Sequence, residues 1–373
     1  MVTYDQTSQK GISKQLSGIV EPLLQWYDKH ARVLPWRETP TPYRVWISEI
    51  MLQQTRVEAA KPYFDRFITA LPDIPALATA PEEELLKLWE GLGYYNRVRN
   101  LQRCAKIILS DFDGELPKTL DELTSLPGIG PYTAGAIASI AYQIPLPAVD
   151  GNVLRVITRI LVCSNDITKE PFKKLIAKSL SVILPKRVGD FNQALMELGA
   201  TVCLPNGAPL CLCCPISRLC RGYQTGTMLD FPVKPEKKKR RIEQHTVFLF
   251  FCRGKVALHK RPETSLLAGM WEFPNVEPSL PASEISQWLS EQGFTADSIQ
   301  PLPNAKHIFS HVEWHMNACS VQLQTLPEND WVWIGAEELK KEYAVPAAFK
   351  LYFSIALEKL SQRKETIETR AKK

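Results

Sequence analysis

The spacing of apolar residues changes once along this 373-residue chain, and the change limits what the chain can fold into. Up to about residue 222 the apolar positions recur at helical spacing and no alternating run occurs. Helices are expected over 15–31, 61–70, 82–90, 98–112, 153–162, 171–183 and 189–200, and another from Arg44 through VWISEIMLQQTRVEAA. From His245 onward short alternating segments take over. TVFLFFCRGKVALHKR reads as a hairpin split at Arg253 and Gly254, VQLQTL and DWVWI as further strands, and 283–292 as a helix. The stretch 223–244 carries Gly, Pro and the run EKKKRR at 236–241, the signature of an exposed linker, while the polar tail 361–373 is expected to fray. The fold class expected is multidomain: an all-α domain over 1–222 followed by an α+β domain over 245–360. A chain this long exceeds what one core usually organises.

Composition narrows the function classes. A hydrophobic content of 45% with 23% charged residues belongs to a globular protein, and a formal charge of +5 suits a nucleic-acid partner without requiring one. MVTYDQTSQKGISKQ has no apolar export core and no run of 18 apolar residues occurs, so no membrane partner is expected and the cytosol, at the nucleoid in a bacterium, is the expected location. Four of the nine cysteines, Cys203, Cys211, Cys214 and Cys220, fall within 18 residues with gaps of seven, two and five. Thiolates so close, built on a C-x-x-C pair in a loop with Pro205, Gly207 and Pro209, converge on a metal centre. From spacing alone zinc and a [4Fe–4S] cluster both fit, and Cys213 competes with its neighbour Cys214. Cys104, Cys163, Cys252 and Cys319 read as small core residues.

Two stretches carry the densest chemistry. In LPGIGPYTAGAIA, Gly128 and Gly130 permit a tight turn that aims backbone N–H groups outward at a helix start, a grip for phosphate. About 20 residues later, in AVDGNVLRV, Asp150 precedes the next helix; alone it reads as an N-cap, with a functional carboxylate as the rival. On the helix from Arg44, Glu49, Gln53 and Arg56 share one face at i, i+4 and i+7, among Trp46, Ile47, Ile50 and Met51. Partial burial raises a carboxyl pKa toward neutrality, as a general acid requires, whereas a solvated face is the plainer alternative. GLGYYNRVRN combines glycine, tyrosine and arginine as a loop that grips backbone and stacks on bases does, and RVLPWRETPTPYRVW, with Arg37, reads either as a packed connector or as a DNA-facing loop.

Together VWISEIMLQQTRVE, GLGYYNRVRNL, LPGIGPYTA, AVDGNVLRV and the four-cysteine loop resemble, in order and over nearly the whole chain, the MutY adenine DNA glycosylases of the endonuclease III superfamily. The cysteine loop departs by one residue, with seven between the first two cysteines where the family pattern has six. The resemblance implies a two-lobed helical domain with a helix–hairpin–helix at 126–138, a [4Fe–4S] cluster on Cys203, Cys211, Cys214 and Cys220, and a C-terminal Nudix-like domain. It implies a monomer that excises adenine opposite 8-oxoguanine in double-stranded DNA and leaves an abasic site for downstream enzymes. Glu49 then protonates the adenine and Asp150 stabilises positive charge on the sugar, with Tyr132 and Asn152 beside it. Leu52, Gln54 and Tyr94 contact or wedge the base stack, while Arg37, Gly128 and Gly130 join the DNA-binding set. Phe309, Ser310 and His311 read the 8-oxoguanine. Bifunctional relatives carry a Schiff-base lysine where this chain has Tyr132, which predicts a monofunctional glycosylase with little intrinsic lyase activity.

Two other classes remain. A non-catalytic iron–sulfur DNA sensor explains the cysteines but not the two carboxylates. Pyrophosphate hydrolysis by the second domain requires the Nudix REUxEE helix, and GMWEFPNVEPSLPASEISQWLSEQGF offers only scattered acids.

Overall fold

The computed structural model describes residues 9–235, 239–264 and 266–371, with side chains to 362. The first half of the linker's cationic run, 236–238, therefore lies outside the described residues. The chain groups into two compact units, one of residues 1–79 with 99–236 and one of 80–98 with 237–373.

The helices in chain order are α1 (Gln9–Ser17), α2 (Val20–His30), α3 (Pro35–Glu38), α4 (Pro42–Leu52), α5 (Val57–Ala70), α6 (Ile74–Thr79), α7 (Glu82–Leu88), α8 (Asn96–Asp111), α9 (Leu120–Ser125) and α10 (Pro131–Ala136). After a π-helical segment at Ile137–Ala141 come α11 (Gly151–Leu161), α12 (Glu170–Ser181), α13 (Val188–Thr201) and α14 (Arg221–Gln224). The single helix expected at 15–31 is in fact two, because the chain breaks at Ser17 to Ile19 and Pro22 sits in the first turn of α2, where its missing N–H costs nothing. Both still face one core: Leu16, Ile19, Leu23 and Leu24 pack against Val153, Ile157 and Ile160 of α11 and Phe191, Leu195 and Leu198 of α13. Each such side chain, fully buried, contributes about 1.5–3 kcal/mol.

Helix α4 also departs from expectation. Thr41 caps it by accepting from Arg44 N at 3.3 Å, and Pro42 occupies its first turn. It ends at Leu52, and Gln54 takes the left-handed conformation at φ 59°. Gln53 and Arg56 therefore do not share a helical face with Glu49; Arg56 instead starts α5. Nearly all of α4 is buried, including Val45, Trp46, Ile47, Ser48, Glu49, Ile50 and Met51. The helix stops where Gln53 leaves helical geometry at ψ 110° before the left-handed Gln54.

The second unit is a seven-stranded sheet of order β3-β2-β1-β6-β5, with β4 on β1 and β7 on β2. Its strands are β1 (Arg241–Cys252), β2 (Lys255–Lys260), β3 (Trp271–Glu272), β4 (Asn275–Val276), β5 (Ala296–Ile308), β6 (Val312–Leu323) and β7 (Val332–Ile334). The hairpin turn falls on Arg253 and Gly254, at φ 47° and 76°, the pair of positive values a type I′ turn needs. At the sheet's centre β1 and β6 run parallel, from Arg241 opposite Val312 to Phe251 opposite Gln322. One face, with Val247, Leu249, Trp314 and Met316, is covered by α17 (Lys350–Ala371) through Tyr352, Ala356 and Leu360; α16 (Ala336–Lys341) precedes it. The other face, with Phe248, Phe250 and Val321, meets Leu289 of α15 (Ile285–Glu291). Contrary to the frayed tail expected, α17 continues as helix through residue 371.

Candidate active site

Four elements of the first unit meet around a cavity of about 1090 Å³: α4, the start of α10, the start of α11, and α13. Volumes of this order exceed the usual range of small-molecule pockets, about 300–1,000 Å³.

Glu49 projects from α4 and is only 6% exposed. Burial pushes its carboxyl up to about 7; the Tyr132 hydroxyl opposes this, Asp150 adds to it and Arg37 opposes it. The Tyr132 hydroxyl donates to Oε2 of Glu49, leaving the other carboxyl oxygen to the cavity. Burial, reinforced by both carboxylates, raises the Tyr132 phenol well above its ordinary value, so it stays a neutral donor.

The turn before α10 delivers Tyr132. Gly128 adopts φ 81°, which only glycine takes without strain, and buried Ile129 anchors the hairpin. Gly130 is an ordinary extended N-cap at φ −93°, so only one of the two glycines uses the left-handed freedom. Neither lines the cavity.

Asp150 caps α11, accepting from Val153 N at 2.7 Å, while its second oxygen accepts from Asn152 Nδ2 at 2.7 Å. Burial raises its pKa; the hydrogen bonds from Val153 and Asn152 and the charge of Arg155 act against this. One carboxylate thus caps α11 and also lines the cavity. Asn152 is held in turn by Arg155, which donates to its Oδ1 at 2.8 Å and to Gly199 O at 2.7 Å. Gly199 lets α13 approach this closely, since a Cβ there would stand 2.6 Å from Asn152 Cβ.

Arg37, Leu52 and Gln54 line the same cavity. Arg37 is committed to the protein through Glu197 at 2.9 Å and Gln193 at 3.0 Å. Glu197, 1% exposed, also accepts from Arg32 at 3.0 Å. Burial would raise its pKa, but the hydrogen bonds and charges of Arg32 and Arg37 outweigh this and hold it below the ordinary carboxylate value. The sequence reading missed Gln193, Met196 and Glu197. Their signal was an acid inside the apolar helical run ALMELGA, with all three on one face at i, i+3 and i+4.

Tyr94 is 47% exposed at φ 51° in the second unit, with the Arg97 guanidinium 5.7 Å from its ring centre. Phe309, Ser310 and His311 form the turn between β5 and β6. Phe309 is half-buried against Trp314 at 4.9 Å, whereas Ser310 and His311 are exposed at the tip.

Cys203, Cys211, Cys214 and Cys220 surround a small cavity floored by Val156, Ile160 and Leu198, while Cys213 is exposed and outside it. Arg159 donates to Cys203 Sγ at 3.2 Å, and Arg155 Nε to Cys203 O at 2.9 Å. Among the described residues, no three of these sulfurs lie within 4.8 Å of one another.

One cavity is thus lined by a buried carboxyl, the tyrosine that donates to it and a helix-capping aspartate. Residues 47–181 match the HhH-GPD superfamily of base excision DNA repair proteins, and 246–354 match the NUDIX domain. The chain is 34% identical to the adenine DNA glycosylase of Schizosaccharomyces pombe, over 86% of this chain and 85% of that protein. Among solved structures, a thermostable thymine-DNA glycosylase (28% identity, TM-score 0.52) and endonuclease III in a non-covalent DNA complex (25%, 0.50) each cover 57% of this chain, and 98% and 97% of their own. The chain belongs to the adenine DNA glycosylase family, and its activity is that of an adenine-specific DNA N-glycosylase. No helix among the described residues is long and apolar enough to cross a membrane.

Proposed function

We propose that the chain removes adenine paired with 8-oxoguanine in duplex DNA, acting as a monomer and leaving an intact strand with an abasic site for a downstream enzyme. The observation that carries this is the buried Glu49 hydrogen-bonded to Tyr132 in the same cavity as Asp150. Neutral Glu49 donates its proton to the flipped adenine, so the base leaves without full negative charge. As the glycosidic bond lengthens, positive charge grows on the sugar, and the Asp150 carboxylate, fixed by Val153 and Asn152, stabilises it. Leu52 and Gln54, at the end of α4, contact or wedge the base stack as the adenine flips out. Arg37, Tyr94, Gly128 and Gly130 complete the DNA contacts, and exposed Ser310 and His311, backed by Phe309, read the opposite base. The site of action is wherever the cell keeps its DNA, the nucleoid in a bacterium.

Position 132 carries tyrosine rather than lysine, so no Schiff base is expected at that residue. Single-turnover assays on duplexes with adenine opposite 8-oxoguanine or guanine should show faster release opposite 8-oxoguanine, and borohydride should trap no covalent adduct. Absence of adenine release sinks the proposal; a trapped adduct sinks its monofunctional part.

The four cysteines are assigned to a [4Fe–4S] cluster. Four thiolates on one zinc, with bonds of about 2.3 Å, would stand about 3.8 Å apart. The wider cage around an apolar cavity, with Arg159 facing Cys203, suits a larger anionic centre. Such a cluster holds the loop and its electrostatics and takes no part in the bond-breaking steps. Purified protein should contain about four irons per chain and absorb broadly in the blue, and Cys214→Ala should lose both; zinc in place of iron refutes the assignment.

A further inference from the structure

Near the start of β1, three potential ligands gather, none of them assigned a role above. Glu243 and His245 are two apart on the strand and so point to the same face of the sheet. Strand β4 pairs antiparallel with β1 through Thr246 opposite Val276, which brings the next residue, Glu277, beside His245. One ligand atom from each of Glu243, His245 and Glu277 lies within 4.8 Å of the others.

His245 is what makes this more than an acidic cluster. It is 6% exposed, and neither of its ring nitrogens has a hydrogen-bond partner or measurable contact with solvent. A buried imidazole with both nitrogens unsatisfied costs free energy that nothing in the chain repays. Its Nε2 lies 3.8 Å from Glu243 Oε2, too far for a hydrogen bond. Two ligands sharing a tetrahedral ion with bonds of about 2.0 Å stand about 3.3 Å apart, so this gap is close to the one an ion bridges. The Glu243 carboxylate is preset by Trp314 Nε1, donating at 2.7 Å, and by Arg241. Glu277 is exposed.

We propose that Glu243, His245 and Glu277 form a binding site for a divalent transition-metal ion of the zinc class. Two carboxylates neutralise the dication, and the imidazole nitrogen selects zinc, nickel or cobalt over magnesium and calcium. The ion ties β4 to β1 and fixes Glu243, which holds Trp314, against whose ring Phe309 packs at 4.9 Å. The metal thereby buttresses the exposed turn of Ser310 and His311.

The test uses the full chain with its cysteine-bound iron in place, so that the cysteine loop takes up no zinc. Equilibrium dialysis against buffered free Zn²⁺, with zinc and iron counted per chain, compares wild type with Glu277→Gln and His245→Asn. Wild type should bind one zinc equivalent that millimolar Mg²⁺ does not displace. Glu277→Gln, altering an exposed side chain outside the core, should raise the half-saturating zinc concentration about tenfold or more, and His245→Asn should abolish uptake at unchanged iron content. Equal zinc uptake by wild type and Glu277→Gln, or no uptake by wild type, overturns the proposal whether or not His245→Asn folds.

Discussion

Glu49→Gln is expected to reduce single-turnover adenine release by about 10²–10⁴-fold, the range a positioned general acid supplies. The amide still accepts from Tyr132 but has no proton to give, so the loss should appear in the chemical step with duplex binding little changed. The pH dependence carries the same signature. With its carboxyl pushed up to about 7, Glu49 is protonated below that pH and loses its proton above it. The wild-type kcat/KM should therefore fall about tenfold per pH unit above 7, and the residual activity of Glu49→Gln should lack that limb.

The same shift makes a stability prediction. The folded carboxyl binds its proton more tightly than the unfolded one, whose ordinary value is 4.5. The stability tied to neutral Glu49 is thus fully present below about pH 4.5 and is lost as pH rises through about 7. Glu49→Gln removes that loss and should raise stability at pH 8 by on the order of 3 kcal/mol relative to pH 4, measured as a shift in Tm. Equal pH dependence of wild type and variant would refute both the activity and the stability arguments, since they rest on one buried carboxyl.

Asp150→Asn is expected to cost about 10³-fold or more in adenine release, through loss of the fixed negative charge opposite the developing cation. The choice of asparagine matters because Asp150 has two jobs. Asparagine caps a helix as well as aspartate, so α11 and the overall fold should survive, whereas alanine would add about 1 kcal/mol of destabilisation. Activity that survives Asp150→Asn would reduce Asp150 to a cap.

Much of this was legible in the sequence for a definite reason: local patterns report local structure. The hairpin at Arg253 and Gly254, the helices at 153–162 and 171–183, and the turn at Gly128 depend on residues within a few positions of one another. Where the sequence reading failed, distant packing decided. Helical spacing ran on past Leu52, yet α4 ends there, where Gln53 leaves helical geometry and Gln54 turns left-handed. Glu197 looked like one acid in an apolar run, and its partners Arg32 and Arg37 lie about 160 residues away.

By itself the sequence determined the two-part architecture, the order of the motifs, Glu49 and Asp150 as the candidate carboxylates, and tyrosine rather than lysine at 132. These are matters of residue type and short spacing, which no folding can alter. Only the tertiary structure decided that Glu49 is buried deeply enough to hold a proton near neutral pH, and that Tyr132 donates to it. It alone decided which of Cys213 and Cys214 faces the cavity, and that His245 is enclosed without a partner beside two carboxylates. Proton affinity and ligand geometry depend on desolvation and on atoms brought together from separate segments, and neither quantity exists until the chain has closed around them.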